Sequence, residues 1–265
     1  MTVIAGVAGQ PIGHSLSPLI HRAWIAAAGL DADYRAFEPD DEPGFAALVA
    51  EGRAGRLRGL NVTAPFKAAA LALADEASAT GRLCGSANLL VFEGGQASAD
   101  STDGEGLMAA LAEQASDLDV TGRPVLILGA GGAARAAAAA LKAAGAEVSV
   151  LNRTRERAER LAADLGVAVA GPETAAEAAL VVNALSAPPE MDVGALRPDA
   201  VLMDMTYRPL LTHFLAAGRA RGLTTVDGLA MLIGQARPSF RAFFDAEPPA
   251  IDVRGLALAA LGGTP

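Results

Sequence analysis

The 265-residue chain is poor in aromatic side chains, has one cysteine and three histidines, and carries fewer positive than negative charges. Each shortage excludes something. A single cysteine, Cys84, cannot form an intrachain disulfide, and it fits a reducing compartment. Three histidines with no His, Cys or carboxylate run at ligand spacing give no reason to expect a metal centre. Twenty-one basic against 30 acidic residues leave a net charge of −9, a field that repels the phosphates of nucleic acids and of anionic membranes. No apolar run reaches the ~18 residues of a membrane span, and no basic leader precedes the first apolar stretch. The expectation is a soluble, cytoplasmic protein with no nucleic-acid or membrane partner. What the chain does have is 52% hydrophobic residues and 29 glycines, enough for a large core and many tight turns.

The most informative stretch begins with the apolar run Pro124 to Leu128, which ends in Gly129-Ala130-Gly131-Gly132-Ala133-Ala134-Arg135. An alanine-rich helix pattern follows, then a second apolar run, Ala146 to Leu151, closing on Asn152-Arg153-Thr154-Arg155. The first half reads as strand, glycine turn and helix start, where small residues let backbone N–H groups approach a pyrophosphate at the positive end of a helix dipole. The second half selects the dinucleotide. A chain that grips the ribose 2′-hydroxyl of NAD places Asp or Glu at this second strand end, about 20 residues past the glycines. Here Asn152 is followed by Arg153, Arg155 and Arg157, and guanidinium groups suit a 2′-phosphate. The pattern predicts NADP, with Arg153 the first candidate for the phosphate and Arg157 the second. Glu156 and Arg160 stand four residues apart and can pair as ordinary helix decoration.

Strand and helix patterns alternate along the rest of the chain, which predicts an α/β fold with crossover helices. Strands are expected at Thr2 to Ala8, Tyr34 to Phe37, Gly59 to Thr63, Ala179 to Asn183, Val201 to Met205 and Leu223 to Val226. Asn88 to Phe92 and Gln96 to Asp100, joined by Gly94-Gly95, predict a hairpin. Ser17-Pro18 reads as an N-cap with proline in the first turn of a helix that Gly29 ends, and Pro43 to Glu51 and Gly104 to Gln114 read as further helices. Gly228 to Phe244 has helical spacing, with a break or kink expected at Pro238. The glycine turn follows some 120 residues with elements of their own. That implies two α/β domains, a substrate domain first and a dinucleotide domain second, with a cleft between them.

Three polar clusters precede the dinucleotide segment, at strand ends where α/β proteins place ligands. Gly13-His14-Ser15-Leu16-Ser17-Pro18 offers two hydroxyls at a helix start, although capping alone would explain Ser17. Asn61-Val62-Thr63-Ala64-Pro65-Phe66-Lys67 delivers an amide, a hydroxyl and then an ammonium from a strand and a proline-fixed turn. Asn88 and Ser101-Thr102-Asp103-Gly104 form the third. His14 and His21, beside a helix start, read as structural.

These motifs together resemble the shikimate dehydrogenase family over essentially the whole chain. The resemblance is carried by Pro11 to Pro18 with His21, Asn61 to Lys67, Asn88, Thr102-Asp103-Gly104, Gly129 to Arg135, Asn152-Arg153-Thr154, Asp204-Met205 with Tyr207 and Pro209, and Asp227-Gly228-Leu229 with Met231-Leu232 and Gln235-Ala236. It implies a substrate domain over 1–103, a Rossmann-type doubly wound NADP domain over 104–227, and C-terminal helices, 228–265, returning to the first domain. It further implies reversible reduction of 3-dehydroshikimate to shikimate in aromatic amino acid biosynthesis by the chorismate route, by a monomer or homodimer. Ser15, Ser17 and Tyr207 would hold the substrate carboxylate. Asn88 and Gln235, with Lys67 and Asp103 as the catalytic pair, would address the ring hydroxyls and the reacting carbonyl, with Thr63 lining the same pocket. Gly129, Ala130, Gly131, Gly132, Ala133, Asn152, Arg153, Thr154, Arg157 and Gly228 would hold the cofactor. The chemistry fits: hydride addition to a ketone leaves charge growing on oxygen, which a positioned ammonium stabilises and protonates, and a nearby carboxylate favours the charged ammonium.

The chain departs from the family pattern at Arg22, Leu89 and Ser101, where asparagine, threonine and asparagine are common. A larger departure is Asn183-Ala184-Leu185-Ser186-Ala187-Pro188-Pro189, which replaces a motif that continues into Gly-Met. Two prolines and no glycine stiffen this loop. The alternatives are therefore a dehydrogenase of quinate or another shikimate analogue, and a non-catalytic sensor of such a ring acid.

Overall fold

The structure, a computed structural model, describes residues 2–262. It is an α/β protein built as two compact units: one takes the chain up to Thr102 and again from Gln235, the other is Asp103–Gly234.

The first unit holds strands β1 (Val3–Ala8), β2 (Ala32–Phe37), β3 (Gly59–Val62), β4 (Glu76–Ala77), β5 (Leu89–Glu93) and β6 (Gln96–Asp100), in the sheet order β2-β1-β3-β5-β6-β4. Its helices in the first stretch are α1 (Ser17–Ala28), α2 (Glu42–Arg53), α3 (Lys67–Leu73) and α4 (Ala79–Cys84). β1, β2 and β3 run parallel, and β5 turns the sheet antiparallel. Gly94 and Gly95, at φ 58° and 82°, make the two-residue turn between β5 and β6, since a tight hairpin with matching twist needs positive φ at both positions. The core gathers Leu60, Leu90, Phe92 and Phe45, whose ring stacks on Phe66 at 4.9 Å.

The second unit is a parallel sheet ordered β12-β11-β10-β7-β8-β9. Its strands are β7 (Pro124–Leu128), β8 (Glu147–Leu151), β9 (Ala168–Val169), β10 (Leu180–Asn183), β11 (Val201–Asp204) and β12 (Thr224–Val226). Helices α5 (Asp103–Gln114), α6 (Gly132–Ala143), α7 (Arg155–Leu165) and α8 (His213–Ala220) cover it. One face packs Val125, Ile127 and Val148 with Leu107, Leu141 and Leu161 of α5, α6 and α7. The other packs Leu126, Leu128 and Leu202 with Phe214 and Leu215 of α8. Burial on both faces is why these strands read as continuous apolar runs rather than alternating ones. The order reverses at β7, with β8 on one side and β10 on the other, which puts a crevice at their carboxyl ends.

Helix α9 (Gly228–Phe244) begins in the second unit and ends in the first, and α10 (Val253–Ala260) follows. Two expectations are cut back here and in α1. Of the break or kink expected at Pro238, the break does not occur, and α9 runs on to Phe244. A proline costs about 3 kcal/mol in a helix interior, and the complete burial of Phe240 just beyond it, with Phe243 nearly so, offsets that cost. Ser17 is not the N-cap of α1: Leu16 takes that position with no side-chain cap, and Ser17 is already helical. Gly29 does end α1, at φ 63°. On α7 the i,i+4 ion pair is Arg155–Glu159 at 2.9 Å, not Glu156–Arg160. No helix among the described residues is long and apolar enough to cross a membrane.

Candidate active site

In the first unit, the carboxyl ends of β1 and β3 lie side by side, with Ala8 in register with Val62. The turn after β1 brings Ser15, whose Oγ accepts the Ser17 backbone N–H at 3.3 Å. Because Ser17 caps nothing, its buried hydroxyl is not accounted for by helix capping. After β3 comes half-buried Thr63, whose backbone N–H donates to Ala8 O at 2.9 Å. Gly9 gives it room: a Cβ there would sit 2.3 Å from Thr63 Cγ2. Lys67 opens α3, half-buried, and its carbonyl accepts the Ala87 N–H at 2.9 Å, which ties the lysine to the segment carrying Asn88.

Asn88, Thr102 and Gln235 form one largely buried cluster. The Thr102 backbone N–H donates to Asn88 Oδ1 at 2.8 Å, and Asn88 Nδ2 donates to Gln235 Oε1 at 2.9 Å and to Thr102 Oγ1 at 3.0 Å. Asn61, beside it, donates from Nδ2 to the Asn88 carbonyl at 3.2 Å and to Ser239 Oγ at 2.7 Å, and accepts the Tyr34 hydroxyl at 2.7 Å. Neither Tyr34 nor Ser239 was singled out from the sequence. Ser239 could have been, since it lies one helical turn past Gln235, but Tyr34 carries no local signal. Burial pushes the Tyr34 hydroxyl well above its ordinary pKa, so it stays a donor.

Tyr34 also stacks on His21, with ring centroids 4.0 Å apart and planes 3° apart. The His21 imidazole is fully buried, with Trp24 edge-on at 5.6 Å, and both ring nitrogens lack hydrogen-bond partners among the described residues. Burial drives its pKa down to about 3, so it is a neutral core ring, in keeping with the structural reading. His14 is exposed.

In the second unit, buried Asp103 is the first residue of α5, and Tyr207 stands half-buried in the loop after β11. The glycine turn lies where the sequence places it. Gly129 has φ 117°, and its N–H donates to Leu151 O at 2.8 Å. Ala130 follows in the turn, Gly131 is the N-cap of α6, and Gly132 and Ala133 open that helix, so their amides face out from its positive end. β7 and β8 pair with Leu128 opposite Leu151, so Asn152, Arg153 and Thr154 leave the sheet next to the glycine turn. Asn152 Nδ2 donates to Thr154 O at 2.8 Å, and Thr154 is the N-cap of α7. Arg135 pairs with Asp164 at 2.7 Å and Arg155 with Glu159. Arg153, just past β8, and Arg157, in the first turn of α7, are exposed with no ion pair among the described residues.

On the other flank, β10 pairs with β7, Asn183 opposite Leu128, and delivers Ala184 and Leu185 to the turn. Leu185 Cδ2 lies 3.2 Å from where a Gly129 Cβ would be, and the Leu185 N–H donates to Asn183 Oδ1 at 3.2 Å. Gly228 opens α9, where a Cβ would stand 2.4 Å from Met205 O. Close helix packing therefore demands this glycine on its own account.

Known proteins match the chain over nearly its whole length. Residues 7–90 match the model of the shikimate dehydrogenase substrate binding domain, and residues 110–188 match that of shikimate / quinate 5-dehydrogenase. A shikimate dehydrogenase (NADP(+)) of Caulobacter vibrioides is 52% identical over 275 residues, covering 98% of this chain and 96% of the relative. The crystal structure of shikimate 5-dehydrogenase from Thermus thermophilus in complex with shikimate superposes with a TM-score of 0.91 at 36% identity, covering 98% of this chain and 100% of that one. The same enzyme in complex with NADP(H) and shikimate gives 0.88, also at 36% identity, with 98% of each chain covered. The chain belongs to the shikimate dehydrogenase family.

Proposed function

We propose that this protein is an NADP-dependent oxidoreductase that interconverts 3-dehydroshikimate and shikimate. The observation that carries the reading is the pairing of β7 with β8, which sets a glycine turn and helix N-terminus beside two arginines with no protein carboxylate paired to them among the described residues. That is a fit for a pyrophosphate and a 2′-phosphate in an otherwise acidic protein. In this reading Gly129, Ala130, Gly131, Gly132 and Ala133 hold the pyrophosphate, Asn152, Arg153, Thr154 and Arg157 the adenosine ribose phosphate, and Gly228 approaches the cofactor from the start of α9. In this reading the substrate domain is the unit that takes the chain up to Thr102 and again from Gln235, and the NADP domain is Asp103–Gly234, so the boundaries fall at 102/103 and 234/235 rather than at 103/104 and 227/228.

NADPH, when bound, supplies a hydride to the carbon of the ring ketone. The ammonium of Lys67 donates its proton to the oxygen as the C=O becomes CH–OH, and Asp103 orients the ring. Ser15, Ser17 and Tyr207 bind the carboxylate, and Thr63, Asn88 and Gln235 read the ring oxygens. The protein acts in the cytoplasm on a small ring acid, as a monomer or homodimer.

The test is absorbance at 340 nm with the purified protein, shikimate or quinate, and NADP or NAD. The reading expects turnover with shikimate and NADP. Turnover on quinate alone would move the assignment to that acid, binding without turnover on either would make the protein a sensor, and a strong preference for NAD would overturn the role of Arg153.

A further inference from the structure

We infer that Tyr34 and Ser239, two residues with no exposed surface, are positioning residues for the ring acid: through Asn61 they hold the backbone that carries Asn88 and Gln235. The inference rests on the proposed function for its ligand. Both side chains are fully buried, so neither can touch a ligand, and any influence must pass through a neighbour.

The sense of every bond in the network is fixed by backbone groups, which can only donate or only accept. The Asn88 carbonyl is an acceptor, so the Asn61 atom facing it at 3.2 Å is the amide nitrogen. The Asn61 oxygen then faces Tyr34, whose hydroxyl must donate. The second Asn61 N–H goes to Ser239 Oγ, which passes its own proton to the Gln235 carbonyl at 3.2 Å. Tyr34 and Ser239 thus clamp Asn61, and Asn61 and Ser239 each add a bond to the carbonyls of Asn88 and Gln235, which also accept the Val62 N–H at 2.8 Å and the Thr102 hydroxyl at 3.2 Å.

A second backbone anchor sets the side-chain amides. The Thr102 N–H is a donor, so Asn88 turns its oxygen there and its nitrogen toward Gln235. Gln235 must meet that nitrogen with its oxygen. What remains is its own NH₂, so Gln235 offers donors only, and the ligand atom it reads is an acceptor oxygen. The Tyr34 ring is held by its faces, stacked on His21, and among the described residues its hydroxyl has the one bond to Asn61, so the loss of that bond is not masked by another.

The experiment combines Tyr34→Phe and Ser239→Ala with the paired substitution Asn88→Ala, Gln235→Ala. Alone, each of the first two raises KM for shikimate about three- to tenfold, the range of one net hydrogen bond, with kcat little changed. In the background that lacks both the Asn88 and the Gln235 side-chain amides the same substitutions change KM by less than about twofold, because the groups they position are gone. Equal effects in both backgrounds would make the role merely structural and overturn the inference, as would an unchanged KM in the parent. Exchange of the Asn88 side-chain amide protons, followed by NMR, reads positioning without turnover. Faster exchange in Tyr34→Phe supports the inference and unchanged exchange overturns it, even for a parent that fails to turn over shikimate. Ser239→Ala cuts the same chain at its other end should Tyr34→Phe not fold.

Discussion

Gln114 and Asp227 are joined by two reciprocal hydrogen bonds: Gln114 Nε2 donates to Asp227 Oδ2, and the Asp227 backbone N–H donates to Gln114 Oε1, each at 3.0 Å. The last residue of α5 is thereby tied to the residue before α9, and Asp227 Oδ1 also accepts the Ala230 N–H at 3.0 Å, capping α9. Asp227 is buried, so removing its partner strands polar groups away from water. Gln114→Ala is expected to lower the unfolding free energy by about 1–3 kcal/mol, measured in denaturant titrations. A change below about 0.5 kcal/mol would show that water replaces the glutamine without loss.

Lys67→Ala tests the proposed proton donor. Loss of a general acid lowers turnover about 10²- to 10⁴-fold while leaving ground-state binding nearly intact. Steady-state kinetics with shikimate and NADP should show the fall in kcat with KM within a few-fold of the parent. Near-normal kcat removes the lysine from the chemistry.

Arg153→Ala addresses the choice of dinucleotide. One charge-assisted bond to the 2′-phosphate is worth about 1.5–3 kcal/mol, so KM for NADP should rise roughly 10- to 100-fold while KM for NAD stays put. Arg157→Ala should act in the same direction and more weakly. If both cofactors lose affinity equally, the arginine supports the fold and does not read the phosphate.

His21 makes the protein sensitive to acid. Its pKa falls from 6.5 to about 3 on burial, so between those values the unfolded chain binds a proton that the folded chain refuses. Stability therefore drops as pH is lowered through this window, by about 1.4 kcal/mol per pH unit from this group alone. His21→Phe removes the titration and both partnerless nitrogens and keeps a ring against Tyr34. Unfolding curves at pH 7, 5 and 4 should show the variant at least as stable as the parent at pH 7 and with a shallower loss below 6. An identical pH slope in the two proteins would rule His21 out as the source.

Apolar periodicity and glycine punctuation made much of the fold legible. The strand at Pro124–Leu128, the Gly94-Gly95 hairpin and the helix ending at Gly29 each rest on local chemistry that neighbours in sequence supply. The failures are places where distant packing outweighs local preference. Pro238 should end a helix by its own geometry, but the buried side chains after it hold the helix together past that point. Ser17 has the chemistry of a cap, yet the turn before it makes Leu16 the boundary.

By itself, then, the sequence determined the alternation of strands and helices, the basic strand end at Asn152-Arg153 and the set of polar residues with chemistry to offer, because those depend on residue type and short spacing. Only the tertiary structure decided which of them share a hydrogen bond. Asn61 and Ser239 stand 178 positions apart in the chain, and no pattern of residue types specifies that one amide hydrogen will find that hydroxyl. Burial away from water is what forces each of these groups to find a partner within the fold.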